Sequence, residues 1–409
     1  MQAEPLSFSL GLNCNEDYDI GAMMKKPNIK FFIFLEVILL LFLCITNIYQ
    51  YYVRKSSING VDALSINEES EQDSETNKKD YITWVDFNVS SKALKAAYTL
   101  DIETYGKPLH LSWIELLAYL GTKYGGDFSK YKEKDLTELS ETLLSQEATM
   151  QSLTEDMKYY DYYLEAYGAV LGGFVGEYEI QVPISSESKD TDPATEPDSD
   201  SESDSETESE TISKVWEKRY GLKAYSPIAK GYSYSDYDDF GSSRSYGYKR
   251  QHLGHDMMGL VGTPIVAIES GYVEAIGWNQ YGGWRLGIRS FDKKRYYYYA
   301  HLRQNFPYHK SLKEGGIVQA GDVIGYMGHT GYSTTENVNN IDETHLHWGL
   351  QLIFDESQKE GINEIWVDCY QLTRFLSQNR SETVKNPETK DYNRIYQFKD
   401  PAAEAAAGS

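Results

Sequence analysis

Cysteine and positive charge are both scarce in this 409-residue chain. The three cysteines, Cys14, Cys44 and Cys369, are too few and too far apart for a disulfide framework or a cysteine-rich zinc ribbon. Lys and Arg number 39 against 62 Asp and Glu, so the net charge is −23, and no basic stripe is present. Binding of nucleic acid needs clustered cations that neutralise phosphates. We therefore exclude nucleic acid as a partner.

The acidic residues are concentrated in one segment. Between residues 185 and 213 there are 11 acidic residues and one lysine, which supply about −10 of the −23. Because like charges at this density repel one another, we predict an extended, disordered linker over residues 183–213. Residues 54–80 are polar and poor in large apolar side chains, which predicts a flexible stalk. Residues 397–409 are predicted to be a flexible tail.

A long apolar run lies near the N-terminus. Its 20 residues, 31–50, are about what a helix needs to cross a ~30 Å hydrocarbon core. Three lysines precede the run, and tyrosines follow it at the level of an interfacial aromatic belt. Glu36 lies near one end of the span, where a carboxylate costs less than at the midplane. We predict one uncleaved transmembrane helix over residues 31–53, with residues 1–30 in the cytoplasm and the bulk of the chain outside.

Residues 81–182 carry the pattern of a small α-helical domain. Four segments show helical spacing of apolar residues: one that starts at Ser90 and Ser91, one that starts at Ser112, Leu136 to Leu144, and Thr154 to about Val170. Ser112 with Glu115 three residues later matches a capping box, and Gly125 can end that helix. An alternative role for Glu115 is that of a lysozyme-type acid, but no recognisable signature accompanies it. Capping is the simpler interpretation.

Three separate segments carry residues suited to metal chemistry. His252 and Asp256 flank Gly254, and they can reach one metal if the backbone turns at the glycine. His345 and His347 share one face of a predicted strand whose other face is apolar, because side chains alternate along a strand. His301 follows a run of four tyrosines that favours a strand. The helix-borne H-E-x-x-H motif, whose glutamate acts as a general base, is absent. A different group would therefore have to transfer protons, and imidazole titrates in the right range.

These segments resemble the lysostaphin-type, or LytM-like, zinc peptidases. The matching motifs occur in family order from about residue 227 to 353, and they are H-x-G-x-D from His252, G-T-P-I-V-A from Gly262, Y-A-H-L from Tyr299, G-D-V-I-G from Gly321, G-H-T-G from Gly328 and H-L-H from His345. One departure is an insertion of residues 334–344 before the last motif. This insertion is placed to reshape one wall of the substrate groove.

The resemblance implies a mainly β catalytic domain over residues 214–396, with antiparallel β-sheets and a groove, preceded by the small α-helical domain and one transmembrane helix. It implies one Zn²⁺ ion held by His252, Asp256 and His347, and two catalytic histidines, His301 and His345. One of these two would position or deprotonate the attacking water and the other would stabilise the oxyanion, and the sequence does not divide the roles. Three protein ligands with one open position are typical of catalytic zinc.

The implied function is hydrolysis of peptide bonds in the stems or cross-bridges of bacterial peptidoglycan. The enzyme would be a single-pass protein of the bacterial cell membrane with its C-terminal domains extracytoplasmic. One alternative is a catalytically silent or dual-role scaffold in a sporulation, secretion or conjugation complex of the cell envelope. In either case residues 81–182 would serve as a spacer, a wall-binding module or a docking element for envelope proteins.

Overall fold

The computed structural model describes residues 85–184, 213–245 and 249–408. The predicted cytoplasmic segment, membrane helix and stalk lie outside these ranges, as does almost all of the acidic linker. Among the described helices none is both long and apolar enough to cross a lipid bilayer. The anchor over residues 31–53 stays a prediction.

Helices occupy most of residues 91–171, as the sequence predicts. They are α1 (Ser91–Thr104), α2 (Trp113–Tyr124), α3 (Glu133–Leu144), α4 (Met150–Thr154) and α5 (Tyr160–Leu171), with a 3₁₀ turn at Phe128–Lys130. Ser90 caps α1, since its hydroxyl accepts a hydrogen bond from the Ala93 N–H (3.3 Å). Gly125 ends α2 at a φ of 63°, the left-handed conformation that glycine adopts without strain.

Two helix starts differ from the prediction. The side chain of Ser112 makes no capping hydrogen bond, so the capping box predicted with Glu115 is wrong. The buried carboxylate of Asp101 takes its place and accepts a hydrogen bond from the Trp113 N–H (2.9 Å). The fourth helix, predicted from Thr154, begins later, and a separate short helix that the sequence did not predict precedes it. A capping box between Thr149 and Ser152 starts the one-turn helix α4, and α5 begins only at Tyr160.

Antiparallel strands build the remainder of the described chain. The strands are β1 (Val175–Pro183), β2 (Lys214–Leu222), β3 (Ser235–Asp236), β4 (Ser243–Ser245), β5 (Lys249–Gln251), β6 (His255–Met258), β7 (Pro264–Val266), β8 (Gly271–Asn279), β9 (Gly283–Ser290), β10 (Arg295–Ala300), β11 (Ile317–Val318), β12 (Val323–Tyr326), β13 (His345–Leu352), β14 (Ile365–Val367), β15 (Thr383–Lys385), β16 (Tyr392–Arg394) and β17 (Phe398–Lys399). Short helices α6 (Glu356–Lys359), α7 (Tyr370–Leu376) and α8 (Pro401–Ala407) lie among and after them. The predicted mainly antiparallel β architecture of this part of the chain is confirmed.

The largest described sheet positions the site. Its strand order is β11-β8-β9-β10-β13-β6-β3, and β14 also pairs with β13. On β13 the alternation is as predicted, because Leu346, Trp348, Leu350 and Leu352 are fully buried in the core. Tyr297 and Tyr299 of β10 point into the same core. The opposite face of β13, which carries His345 and His347, forms the floor of a groove.

The helices and the sheet share one hydrophobic core. Strand β1, which the sequence does not predict, pairs along its whole length with β2 on the far side of the acidic linker. A second connection is Arg295 of β10, whose guanidinium donates a hydrogen bond to the Ala169 carbonyl of α5 (2.8 Å). Residues 397–408, predicted as a flexible tail, instead contribute β17, which pairs with β1, and α8. The side chain of Asp400 caps α8 through the Ala402 N–H.

Candidate metal centre

Neighbouring strands bring the three predicted metal ligands together. Asp256 on β6 lies directly opposite His347 on β13 in the antiparallel register. His252 lies just before β6, and the bend between them turns its side chain toward the other two. One potential ligand atom from each residue lies within 4.8 Å of the others. His252 and Asp256 are buried and His347 is half-buried.

The distances between these atoms fit a metal site. Nε2 of His252 lies 3.1 Å from both Oδ1 of Asp256 and Nδ1 of His347, and that Nδ1 lies 2.8 Å from Oδ1 of Asp256. Three lone-pair donors therefore point at one small volume. Burial alone would raise the pKa of Asp256, but its hydrogen bonds with His252 and His347 more than offset this, so its pKa lies well below the ordinary value. Burial lowers the pKa of His347. An ionised carboxylate and a neutral imidazole are the forms that bind a metal ion.

Gly254 is required for a reason that differs from the one predicted. It does lie at a bend, but its φ is not in the positive region. A Cβ atom at this position would lie 2.5 Å from Cε1 of His347 and 2.8 Å from the Trp348 carbonyl oxygen. The glycine therefore allows the chain that carries His252 to approach β13 closely.

The two predicted catalytic histidines lie on one side of this group. Nδ1 of His301 is 2.9 Å from the Thr330 carbonyl oxygen, and Nδ1 of His345 is 2.8 Å from that of Glu343. A carbonyl can only accept, so each Nδ1 carries the proton and each Nε2 keeps its lone pair. The two rings are 4.8 Å apart between centroids. Burial, with the neighbouring His345 and His347, lowers the pKa of His301 well below its ordinary value.

Two further residues contact the centre, and no sequence motif identified them. Nδ1 of His252 lies 3.0 Å from Oδ1 of Asp239, which directs Nε2 of the same ring at the metal site. The guanidinium of Arg244 lies 2.7 Å from Oδ2 of Asp256 and also pairs with Asp239. Arg244 thus pairs with the oxygen of Asp256 that does not contact His252 or His347. Arg244 belongs to β4, which pairs only with β5 in the described structure, and nothing in its local sequence marks it.

Two cavities flank His347 along the groove. The first, of about 420 Å³, is lined by residues that include Gln251, Arg285, Tyr296 and Trp366. The second, of about 160 Å³, holds His301, His345, Tyr332 and Ile341. Ile341 belongs to the insertion of residues 334–344, and its carbonyl oxygen lies 2.7 Å from Nδ1 of His329. The insertion therefore forms part of the wall of the second cavity.

The family model described as Peptidase family M23 matches residues 250–360, which contain all five predicted site residues. Residues 250–360 form a peptidase family M23 domain. The resemblance to the lysostaphin-type and LytM-like peptidases is thereby confirmed.

Characterised relatives of this M23 domain include two peptidases. The L-Ala–D-Glu endopeptidase of Bacillus subtilis is 39% identical over 124 residues, which are 30% of this chain and 36% of the relative. Lysostaphin of Staphylococcus simulans is 35% identical over 111 residues, 27% of this chain and 20% of the relative. The match thus spans about a third of one relative and a fifth of the other. The crystal structure of a lytM protein of Ruminococcus gnavus is 22% identical, with a TM-score of 0.44, and covers 71% of this chain and 89% of that one.

Proposed function

We propose that this protein is a zinc-dependent endopeptidase that hydrolyses peptide bonds of bacterial peptidoglycan. The observation that supports it most is the convergence of His252, Asp256 and His347 beside two imidazoles that each carry the proton on Nδ1. The relatives of the M23 domain are peptidases by name, and one is an L-Ala–D-Glu endopeptidase. The silent-scaffold alternative is not favoured, because all five positions are intact and adjacent.

The ligand set fits zinc. Two imidazole nitrogens and one carboxylate oxygen are ordinary zinc ligands, and three protein ligands leave one coordination position for water or substrate. A zinc ion bound there supplies Lewis acidity that polarises a carbonyl group and lowers the pKa of water. Asp239 would hold the His252 ring in the tautomer that binds through Nε2.

His301 and His345 would transfer the protons and stabilise the developing charge. His301 is neutral at pH 7 because its pKa is lowered, so its Nε2 can accept a proton, and the hydrogen bond to Thr330 keeps the ring in place. His345 has the same tautomer, because its Nδ1 donates to the Glu343 carbonyl oxygen. We assign one as the base and the other as the group that stabilises the developing oxyanion.

A membrane anchor is part of the same proposal. The apolar run within residues 31–53 would hold the protein in the bacterial cell membrane, with residues 85–408 outside and near the wall. Residues 81–182 would act as a spacer or as a docking element for envelope proteins. Fractionation and protease accessibility of intact cells test the topology: protection of the C-terminal part from external protease would contradict it.

Digestion of purified peptidoglycan tests the catalytic proposal. The zinc-loaded protein should release new amino termini, and mass spectrometry of the products identifies the bond that is cut. The His301→Ala variant serves as the matched inactive control. If wild-type protein that contains one zinc ion per chain leaves the peptidoglycan intact, the endopeptidase function is refuted.

A further inference from the structure

The larger cavity beside the candidate metal centre is lined by one arginine. Arg285 lies on β9 and lines the cavity, and its Nη1 is buried without a hydrogen bond. Among the residues that the structure describes, no carboxylate lies within ion-pair distance of its guanidinium. A buried donor without an acceptor costs stability, and a charged donor costs more than a neutral one.

A second arginine on the same strand, Arg289, pairs with residues of the fold itself. Arg289 lies four residues further on, so alternation along β9 places it on the same face. Its guanidinium pairs with Glu356 (3.0 Å) and Glu274 (3.6 Å) and donates to the Lys293 carbonyl (2.7 Å). Two carboxylates therefore compensate the charge of Arg289, although its Nη1, like that of Arg285, makes no hydrogen bond. Arg285 differs because no carboxylate pairs with it among the described residues, which indicates a ligand rather than a structural partner.

The rest of the cavity suits a peptide. Tyr296 and Trp366 lie close to the sheet because glycines oppose them: a Cβ on Gly287 would lie 1.9 Å from the Tyr296 hydroxyl, and one on Gly349 would lie 2.8 Å from the Trp366 ring. The cavity therefore has aromatic walls and one cation. The acidic residue that lines it, Glu364, is exposed to solvent.

We propose that Arg285 binds a free carboxylate of the substrate and so selects acidic peptides over glycine-only ones. The inference rests on the endopeptidase function proposed above. The cavity is lined by His252 and His347 as well, so a peptide that occupies it lies against the metal centre. The planar guanidinium matches a carboxylate through two parallel hydrogen bonds. An all-glycine segment carries no side-chain carboxylate and would leave the charge of Arg285 uncompensated.

Binding of three short peptides tests the proposal. The zinc-loaded full chain with His301→Ala is titrated calorimetrically with a glutamate-containing peptide, with its glutamine counterpart and with an all-glycine peptide of equal length. We expect the carboxylate peptide to bind about 10- to 100-fold more tightly than the other two, which is the range for a charge-assisted hydrogen bond. Arg285→Gln should abolish this preference by weakening binding of the carboxylate peptide alone.

Two variants control the experiment. Arg285→Lys keeps the charge without the planar fork and should retain part of the preference. Arg219→Gln removes one exposed cation from β2, far from the cavity in sequence, and should retain all of it. Equal affinity of the parent protein for the glutamate and glutamine peptides would overturn the proposal, and so would a preference that survives Arg285→Gln. The parent comparison needs no variant at Arg285, so a poorly folded Arg285→Gln protein does not leave the question open.

The same proteins separate this proposal from the one on which it rests. Wild-type protein that leaves purified peptidoglycan intact would refute the endopeptidase function, whatever its peptide preference. Hydrolysis of peptidoglycan without a preference for the carboxylate peptide would refute only the role of Arg285.

Discussion

The carboxylate of Asp239 lies 3.0 Å from Nδ1 of His252, on the side of the ring opposite to Asp256 and His347. It therefore holds the proton on Nδ1 and leaves the lone pair of Nε2 for a metal ion. Asp239 is 13 residues before His252 in the chain and lies outside the matched family region, which begins at residue 250. It supports the candidate metal centre from a part of the sequence that carries no recognisable motif.

Replacement of Asp239 should weaken zinc binding without unfolding the protein. For Asp239→Asn we expect an affinity for Zn²⁺ about 10- to 100-fold lower, as is usual when a carboxylate that orients a histidine ligand is lost. Competition with a chromophoric chelator measures it. The neighbouring Asp238→Asn is the matched control, since Asp238 is exposed and loses the same charge. Equal weakening in both variants would mean that net charge, and not the orientation of His252, sets the affinity.

Variants of the site residues should separate metal binding from catalysis. His347→Ala and Asp256→Ala each remove a ligand and should lose zinc, while His301→Ala should keep zinc and lose about 10²- to 10⁴-fold in rate, the usual contribution of an acid–base group. Elemental analysis of the purified proteins gives the metal content, and peptidoglycan digestion gives the rate. His309→Ala is the control, because His309 hydrogen-bonds Ser311 outside the site. The same zinc content in all three site variants would disprove the assignment of the ligands.

Buried Arg295 should contribute strongly to stability. It pairs with buried Glu269 (2.8 Å) and donates to the Ala169 carbonyl of α5 (2.8 Å), so it joins the helices to the sheet. Arg295→Met leaves the carboxylate of Glu269 uncompensated, and we expect the free energy of unfolding to fall by about 3–5 kcal/mol. Urea denaturation of the purified protein measures this.

The double variant Arg295→Met/Glu269→Gln identifies the cause of that loss. It removes both charges and should recover part of the stability, because no unpaired ion remains in the core. Arg219→Met, an exposed arginine on β2, should change the free energy of unfolding by less than about 0.5 kcal/mol. A double variant no more stable than Arg295→Met would show that packing of the arginine, and not its charge, is what matters.

The sequence predicts best what depends on local periodicity. Alternation over residues 345–354 places His345 and His347 on one face of β13 and their neighbours in the core, and both placements are confirmed. The motif that contains His252 and Asp256 is equally local. Contacts that depend on pairing of distant segments are not visible in the sequence, because no pattern encodes them. Strand β1 meets β2 across the acidic linker, and Asp101 replaces Ser112 at the start of α2.

The lack of an ion pair at Arg285 within the described part of the chain belongs to the same class of unpredicted features. Alternation places it on the face of β9 shared with Arg289, yet only the fold shows that Glu274 and Glu356 lie beside Arg289 and that neither pairs with Arg285. Arg244 likewise reaches Asp256 from a hairpin outside the main sheet. The sequence thus predicts the three candidate metal ligands, and the fold shows the residues around them.

A carboxyl group outside the site should make stability depend on pH. Burial, followed by the nearby Asp127, raises the pKa of Asp86 from 3.8 to about 6. Below pH 3.8 the group is protonated in both the folded and the unfolded chain and costs nothing. As the pH rises from 3.8 through about 6 the unfolded chain ionises first, so the free energy of unfolding should fall by up to about 3 kcal/mol.

Asp86→Asn should therefore stabilise the protein by about 2–3 kcal/mol at pH 7 and by little at pH 4. Urea denaturation at the two pH values measures the difference, with Asp156→Asn, an exposed carboxylate between α4 and α5, as the control that should change stability little at either pH. An Asp86→Asn effect of the same size at pH 4 and pH 7 would show that it does not arise from ionisation of Asp86.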